Sequence, residues 1–278
     1  MIASAKRLVR RGLRSKQYLL GRRVSEAILY GGKLRESLLV GLLGALHRSQ
    51  YRRYWELRSG DPPPFYNQRW NGFELVYGKS RNPYPFTRGF LASEVIKPGD
   101  RLLDIGCGDG FFTNTFYSPR CVHVDAVDID PLAISSARRL NSARNIDFYV
   151  SDAVHDSFPS DHYDVVVWDG AIGHFAESDL SVILEKIVSA LSPHGIFVGS
   201  ESIGVEGSDH LQFFDNEADL AAVFQPYFPH VLIRTLKYRI GTGLLRTEAY
   251  WRCTSNPHPR HEPTTWIDFS GSGGQAGN

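Results

Sequence analysis

The stretch LLDIGCGDGFF, Leu102 to Phe112, followed by VHVDAVDIDP, Val122 to Pro131, decides the fold. An apolar run of strand length breaks at Gly106, Gly108 and Gly110, resumes as a helix start at Phe111, and gives way to a second strand that closes on Asp128. Glycines let a ligand come close to the main chain. A helix start behind them presents unpaired amides. Strand, glycine turn, helix and acid-ended strand together outline a pocket for an adenosine-bearing ligand.

Outward from this unit, helices and strands alternate. The patterning predicts helices over Phe86–Ile96, Phe111–Tyr117, Pro131–Asn141, Leu180–Leu191 and Glu217–Phe224. It predicts strands over Arg101–Ile105, His123–Val127, Ile146–Val150, Tyr163–Trp168 and Ile196–Ser200, and two last β-rich runs, Val231–Tyr238 and Leu244–Arg252, as an antiparallel pair. Pro131 falls at a first helical turn, where its missing amide proton does no harm, and Pro193 and Gly195 close the fourth helix. Strands separated by helices imply an α/β, Rossmann-like, mostly parallel sheet covered on both faces.

Length and charge divide the rest. A chain of 278 residues with 42% hydrophobic content supports one sizeable core and a small appendage. The net charge of +1 hides a split: residues 1–60 hold fourteen basic side chains against Glu26, Glu36 and Glu56, so the remainder is acidic. The expected organisation is a basic amphipathic helical extension over 1–60, a Pro and aromatic linker and cap over 61–85, a catalytic domain over 86–254, and a disordered Pro, Gly and Ser-rich tail over 255–278. In the extension Leu34, Leu38, Leu42 and Leu46 recur every fourth position. Such a stripe with basic flanks suits peripheral contact with an anionic membrane; packing on the enzyme, or on a second copy in a homodimer, is the alternative. The apolar run Leu38–Leu46 is far short of the roughly 20 residues a spanning helix needs. Cys107, Cys121 and Cys253 fit neither a disulfide framework nor a zinc site. The expected location is cytoplasmic, with an organellar matrix as the alternative because the opening is rich in Arg and free of acid up to Arg23.

Three acids stand at successive strand ends. Asp104 is placed to fix the glycine turn or to meet the charged amino-acid part of a ligand, Asp128 to accept from ribose hydroxyls, and Asp152 to accept from the adenine amine. With these in order, LLDIGCGDG, AVDID, SDAV and DVVVWDGAIGHF resemble the successive motifs of class I S-adenosylmethionine-dependent methyltransferases, of the small-molecule or glycan-modifying type, over about Phe86 to Arg252. The resemblance implies a seven-stranded sheet whose final strand is antiparallel. It places Asp104, Gly106, Gly108 and Gly110 along the methionine side, Asp128 and Ile129 at the ribose and adenine, Asp152 and Ala153 at the adenine edge, and Asp169 near the transferred methyl. A nicotinamide dehydrogenase would carry glycine or alanine where Thr113 stands.

The acceptor is expected to be a small molecule or glycan, methylated on a hydroxyl. N- or C-methylation, and a non-catalytic cofactor-binding role, stay open. The loop after the fourth strand, DGAIGHF, lacks the proline-aromatic motif of methyltransferases that act on nucleic-acid bases, and the acidic body offers no groove for phosphates, so no nucleic-acid partner is expected. His210 and His174 are the candidate catalytic bases, with Glu201 to orient His210. Asp152 and Asp169 lack the further ligand a magnesium site requires, so no metal is expected.

Overall fold

The computed structural model describes residues 38, 41–46, 84–204, 210–239, 245–256 and 267–269. Most of the expected extension over 1–60, the linker and cap up to residue 83, residues 205–209 and most of the tail over 255–278 lie outside the described residues. The chain divides into two compact units, Met1–Pro62 and Pro63–Asn278. In the first, the described residues are helical, and Leu38, Leu42 and Leu46 are exposed. Among the described residues, no helix is long and apolar enough to cross a membrane.

The second unit begins with helix α1 (Tyr84–Ser93). The strands are β1 (Arg101–Ile105), β2 (His123–Asp128), β3 (Ile146–Val150), β4 (Tyr163–Asp169), β5 (Leu191–Ile203), β6 (His230–Arg239), β7 (Leu245–Thr254) and β8 (Ile267–Asp268). Helices α2 (Pro131–Leu140), α3 (Glu177–Ala190) and α4 (Glu217–Phe224) lie between them. The sheet order is β3-β2-β1-β4-β5-β7-β6-β8. Strands β1 to β5 pair in parallel, and β7 runs antiparallel between β5 and β6. This is the Rossmann-like sheet of seven strands that the sequence predicts. The eighth strand comes from the tail expected to be disordered, where Ile267 and Asp268 pair with Ile233 and Leu232.

The central strands are apolar throughout because both faces are covered. Leu103, Ile105, Val166, Trp168 and Phe197 face one core with α3 and α4. Leu102, Val165, Val167, Ile196 and Val198 face the other with Ile134 and Ala137 of α2. Consecutive residues such as Leu102 and Leu103 thus serve opposite layers, as the period of two requires. Burying each of the large side chains contributes about 1.5–3 kcal/mol. Caps set the helix entries: Asp130 accepts from the Leu132 amide at 2.9 Å ahead of Pro131, and Asn216 accepts from Ala218 and Asp219.

Two expected boundaries move. Pro193 and Gly195 do not follow α3 as a loop; β5 already starts at Leu191, and the register jumps from Tyr163 opposite Leu191 to Val165 opposite Ile196. The extra residues form a bulge, which accommodates a proline inside a strand. The segment after the glycine turn is helical as expected, but Thr113–Tyr117 is a π turn. The order of strands reverses between β1 and β4, so the crevice for a ligand lies beyond their carboxyl ends.

Candidate active site

The glycine turn is stapled onto β2. The amides of Gly106 and Cys107 donate to the Val127 carbonyl at 2.9 and 3.1 Å, and the Gly108 amide donates to Asp128 Oδ2 at 2.8 Å. Gly110 has φ +71°, and a Cβ there would sit 2.6 Å from the Phe148 ring, so close packing and backbone conformation both demand glycine. Asp128 Oδ1 accepts from the Asp130 amide at 2.8 Å, so this half-buried carboxylate ties the turn to the loop that starts α2.

Behind the turn lies a cleft lined by Arg88, Asp104, Gly106, Cys107, Gly108, Asp109, Phe112, Tyr117 and Asp169. Asp104, near the end of β1, is buried, and Asp169, at the end of β4, is half-buried. Thr113 donates its hydroxyl to Asp104 at 2.6 Å, and Tyr117 donates its hydroxyl to Asp169 Oδ2 at 2.5 Å. The π turn therefore delivers two hydroxyls, four residues apart, to two acids. Burial pushes the Asp104 carboxyl up to about 8, against the pull of the Thr113 bond, with Asp169 and Asp128 adding to the rise. Burial also raises Asp169, opposed by Arg88, Tyr117 and the nearby Ser200 hydroxyl. Arg88, on α1, is itself buried and lies 4.5 Å above the Phe112 ring. Burial, followed by the neighbouring acids, raises the Cys107 thiol well above its ordinary range, which keeps it un-ionised in this acidic cleft.

The acids continue into a polar row. Asp169 is opposite Ser200 on β5, and Ser200 is opposite Tyr250 on β7, so the three share a sheet face. Among the described residues, Asp169 Oδ1, Ser200 Oγ and Tyr250 Oη are buried and make no hydrogen bond of good geometry. Burial raises the Tyr250 hydroxyl, with Glu248 and Asp169 adding to it.

Other expected residues fall outside this lining. Ile129 is exposed at 68%, an apolar surface beside Asp128. Asp152 is bonded to the Val154 amide and to His155 Nδ1, each at 2.8 Å, and the His155 bond holds its carboxyl below the usual range. Ala153 packs its methyl into the core and gives its carbonyl to Lys186 at 2.6 Å.

The two histidines meet, their rings perpendicular with centroids 4.5 Å apart. Gly173 makes this contact feasible, since a Cβ there would come within 2.7 Å of His210 Nδ1. The Leu211 and Gln212 amides donate to the Gly173 carbonyl. Glu201 does not orient His210: it accepts from the Gly173 amide at 2.9 Å and from the Ser202 amide and hydroxyl. Strand alternation explains the correction, because Ser200 and Ser202 occupy one face of β5 and Glu201 the other.

Five residues escaped the sequence reading: Arg88, Thr113, Tyr117, Ser200 and Tyr250. For Arg88 a signal existed. It is buried together with Leu91, Ala92 and Val95, the helical i, i+3, i+4, i+7 spacing, and so is a charge on the core stripe of its helix.

Residues 102–195 match the family model described as a methyltransferase domain. The matched segment runs from β1 through β4 and includes the glycine turn. A ribosomal protein L11 methyltransferase of Burkholderia ambifaria is 32% identical over 121 residues, 44% of this chain and 38% of that protein. Its counterpart in Symbiobacterium thermophilum is 31% identical over 108 residues, 38% and 34% of the two chains. The chain thus spans less than half the length of these curated relatives. Among solved structures, N-methyltransferase NodS from Bradyrhizobium japonicum aligns over 62% of this chain and 98% of its own, with 17% identity and a TM-score of 0.49. Within the matched segment, the glycine turn, Asp104 and Asp169 share the strand-end cleft, Asp128 holds its rim, and Asp152 and Ala153 stand apart from it.

Proposed function

We propose that this chain transfers a methyl group from S-adenosylmethionine to a hydroxyl of a small-molecule or glycan acceptor. The donor, when bound, supplies a methyl already activated on sulfonium. The residues fit it. Its amino-acid end carries both charges, and the cleft offers a buried guanidinium from Arg88 and a buried carboxyl from Asp104. Asp128 and exposed Ile129, beyond the turn, suit ribose hydroxyls and an apolar base.

The observation that carries the acceptor reading is the row of buried oxygens on Asp169, Ser200 and Tyr250 that find no well-formed hydrogen bond among the described residues. An unpaired buried polar atom costs about 1–3 kcal/mol, and native structures leave few of them. A hydroxyl both donates and accepts. It satisfies Asp169 Oδ1 as a donor and Ser200 or Tyr250 as an acceptor in the form in which it reacts, whereas an amine arriving as ammonium only donates and must lose a proton before it can take the methyl. Asp169 takes the hydroxyl proton as the methyl moves, its buried carboxylate being more basic than an exposed one. Tyr117 holds its other oxygen, leaving Oδ1 for the acceptor. The histidine pair positions residues 210–213 on the turn that follows β4. Methyl transfer needs little besides alignment, worth about 7–11 kcal/mol, with roughly a hundred- to ten-thousand-fold from the base.

Calorimetry with S-adenosylhomocysteine and a screen of free sugars, lipid-linked sugars and phenols, with mass detection of methylated product, test the reading. Asp169→Asn is expected to lower kcat by about a hundredfold or more with donor affinity changed only slightly. Absence of affinity for donor and product, or turnover confined to amines, would overturn it. If His210→Ala lowers kcat as far as Asp169→Asn while donor binding persists, the base is the histidine.

A further inference from the structure

The helical piece of the first unit carries a face that the fold leaves bare. Leu38, Leu42 and Leu46 are exposed at 66%, 60% and 52%, and Gly41 and Ala45 beside them are exposed too. Residues 38–46 contain no charged or polar side chain. An apolar helical face belongs in a core or in lipid, and these three leucines are exposed. A helix of nine residues would span about 13 Å, less than half of a bilayer's hydrocarbon thickness, so a helix of this length lies in an interface and does not cross it.

We infer that this face docks the protein on an anionic bilayer surface. The occupant is chosen by charge. Fourteen basic residues against three acidic ones flank the leucines through Gly60. Apolar insertion combined with a basic flank is the two-signal arrangement by which peripheral helices hold acidic lipid. A neutral apolar partner would account for the leucines but not for the arginines. A nucleic acid would account for the arginines but not for an exposed leucine stripe. The rest of the chain has an excess of acid, so an anionic surface repels it and draws the leader alone. An enzyme tethered in this way meets acceptors presented at a lipid surface.

Flotation of the full chain with vesicles tests this, using phosphatidylcholine alone and phosphatidylcholine mixed with phosphatidylglycerol. The expected result is flotation about tenfold stronger with the mixed vesicles, abolished by high salt. The combined substitution Leu38→Glu, Leu42→Glu and Leu46→Glu is expected to abolish it at low salt as well, with Tm and S-adenosylhomocysteine affinity unchanged. Equal recovery on both vesicle types, no flotation of the parent chain, or undiminished flotation of the substituted chain overturns the inference. So does a dimer, seen by light scattering, that the substitution dissociates while the parent chain ignores vesicles, since the occupant is then a second copy. If the substituted chain has a lowered Tm, Leu42→Glu alone gives the same decision.

Discussion

The two sides of the strand-end crevice are built to opposite specifications. On the side of β1 and β2 nearly every polar group is answered from within: Asp104 by Thr113, Asp128 by the Gly108 and Asp130 amides, and the turn itself by the Val127 carbonyl. On the side of β4, β5 and β7, Asp169 Oδ1, Ser200 Oγ and Tyr250 Oη are buried and make no well-formed hydrogen bond among the described residues. The first side is preorganised and rigid, and so suits a ligand whose chemistry never changes. The second carries an unmet hydrogen-bonding demand, which a bound acceptor relieves. The domain thus separates a pocket of fixed geometry from one whose polarity states what it is missing.

The largest effect comes from breaking the rigid side at its turn. Gly110→Ala places a methyl against Phe148 and Ala137 at a left-handed φ. Backbone strain of about 1–2 kcal/mol and overpacking of about 1–3 kcal/mol add. Urea unfolding should show a loss of roughly 2–5 kcal/mol, and donor-product affinity should fall with it. A variant that keeps parental stability would mean that the turn is less tightly packed than it looks.

The contrast sharpens with two substitutions that each remove one hydroxyl. Thr113→Val deprives buried Asp104 of its donor and should cost about 1–3 kcal/mol. Tyr250→Phe removes a hydroxyl that makes no well-formed hydrogen bond among the described residues, so its stability should stay level or rise by up to about 1 kcal/mol. In activity the signs separate again: Thr113→Val should weaken donor binding, and Tyr250→Phe should raise KM for the hydroxyl acceptor about tenfold with donor affinity intact. Thermal melting and donor titration of the pair decide this. Equal destabilisation by both would erase the distinction between the two sides.

The same contrast governs what could be read from sequence. The donor side is local: strand, glycines and Asp128 lie within one continuous segment, so spacing alone exposes them. Thr113 and Tyr117 sit just beyond the glycines, yet the π turn that aims both hydroxyls is not written in hydrophobic periodicity. Arg88 was legible as a charge on a buried stripe. Ser200 and Tyr250 become neighbours only through the β5–β7 register, a pairing that depends on a bulge after α3 and an antiparallel insertion between β5 and β6. Glu201 was misplaced for a related reason. Its proximity in sequence to His210 suggested a pair, whereas strand alternation turns it under Gly173.

The gentlest perturbation of the comparison changes no atom. Asp104 has its carboxyl raised to about 8 by burial, with Asp169 and Asp128 adding and Arg88 opposing. A carboxyl whose folded value lies above its unfolded one, about 3.9, stabilises the fold fully below that lower value. That contribution disappears as pH rises through about 8, so the free protein should lose stability over this window. The ammonium of a bound amino-acid moiety reverses the preference by favouring the Asp104 anion. Binding of S-adenosylhomocysteine below pH 8 should therefore release a fraction of a proton, up to one, and should tighten toward pH 8. Calorimetry in buffers of different ionisation enthalpy counts that proton. Asp104→Asn should abolish the release and flatten the stability profile. If the release persists in that variant, the proton belongs to Asp169, and the charge that answers the donor comes from the acceptor side of the crevice.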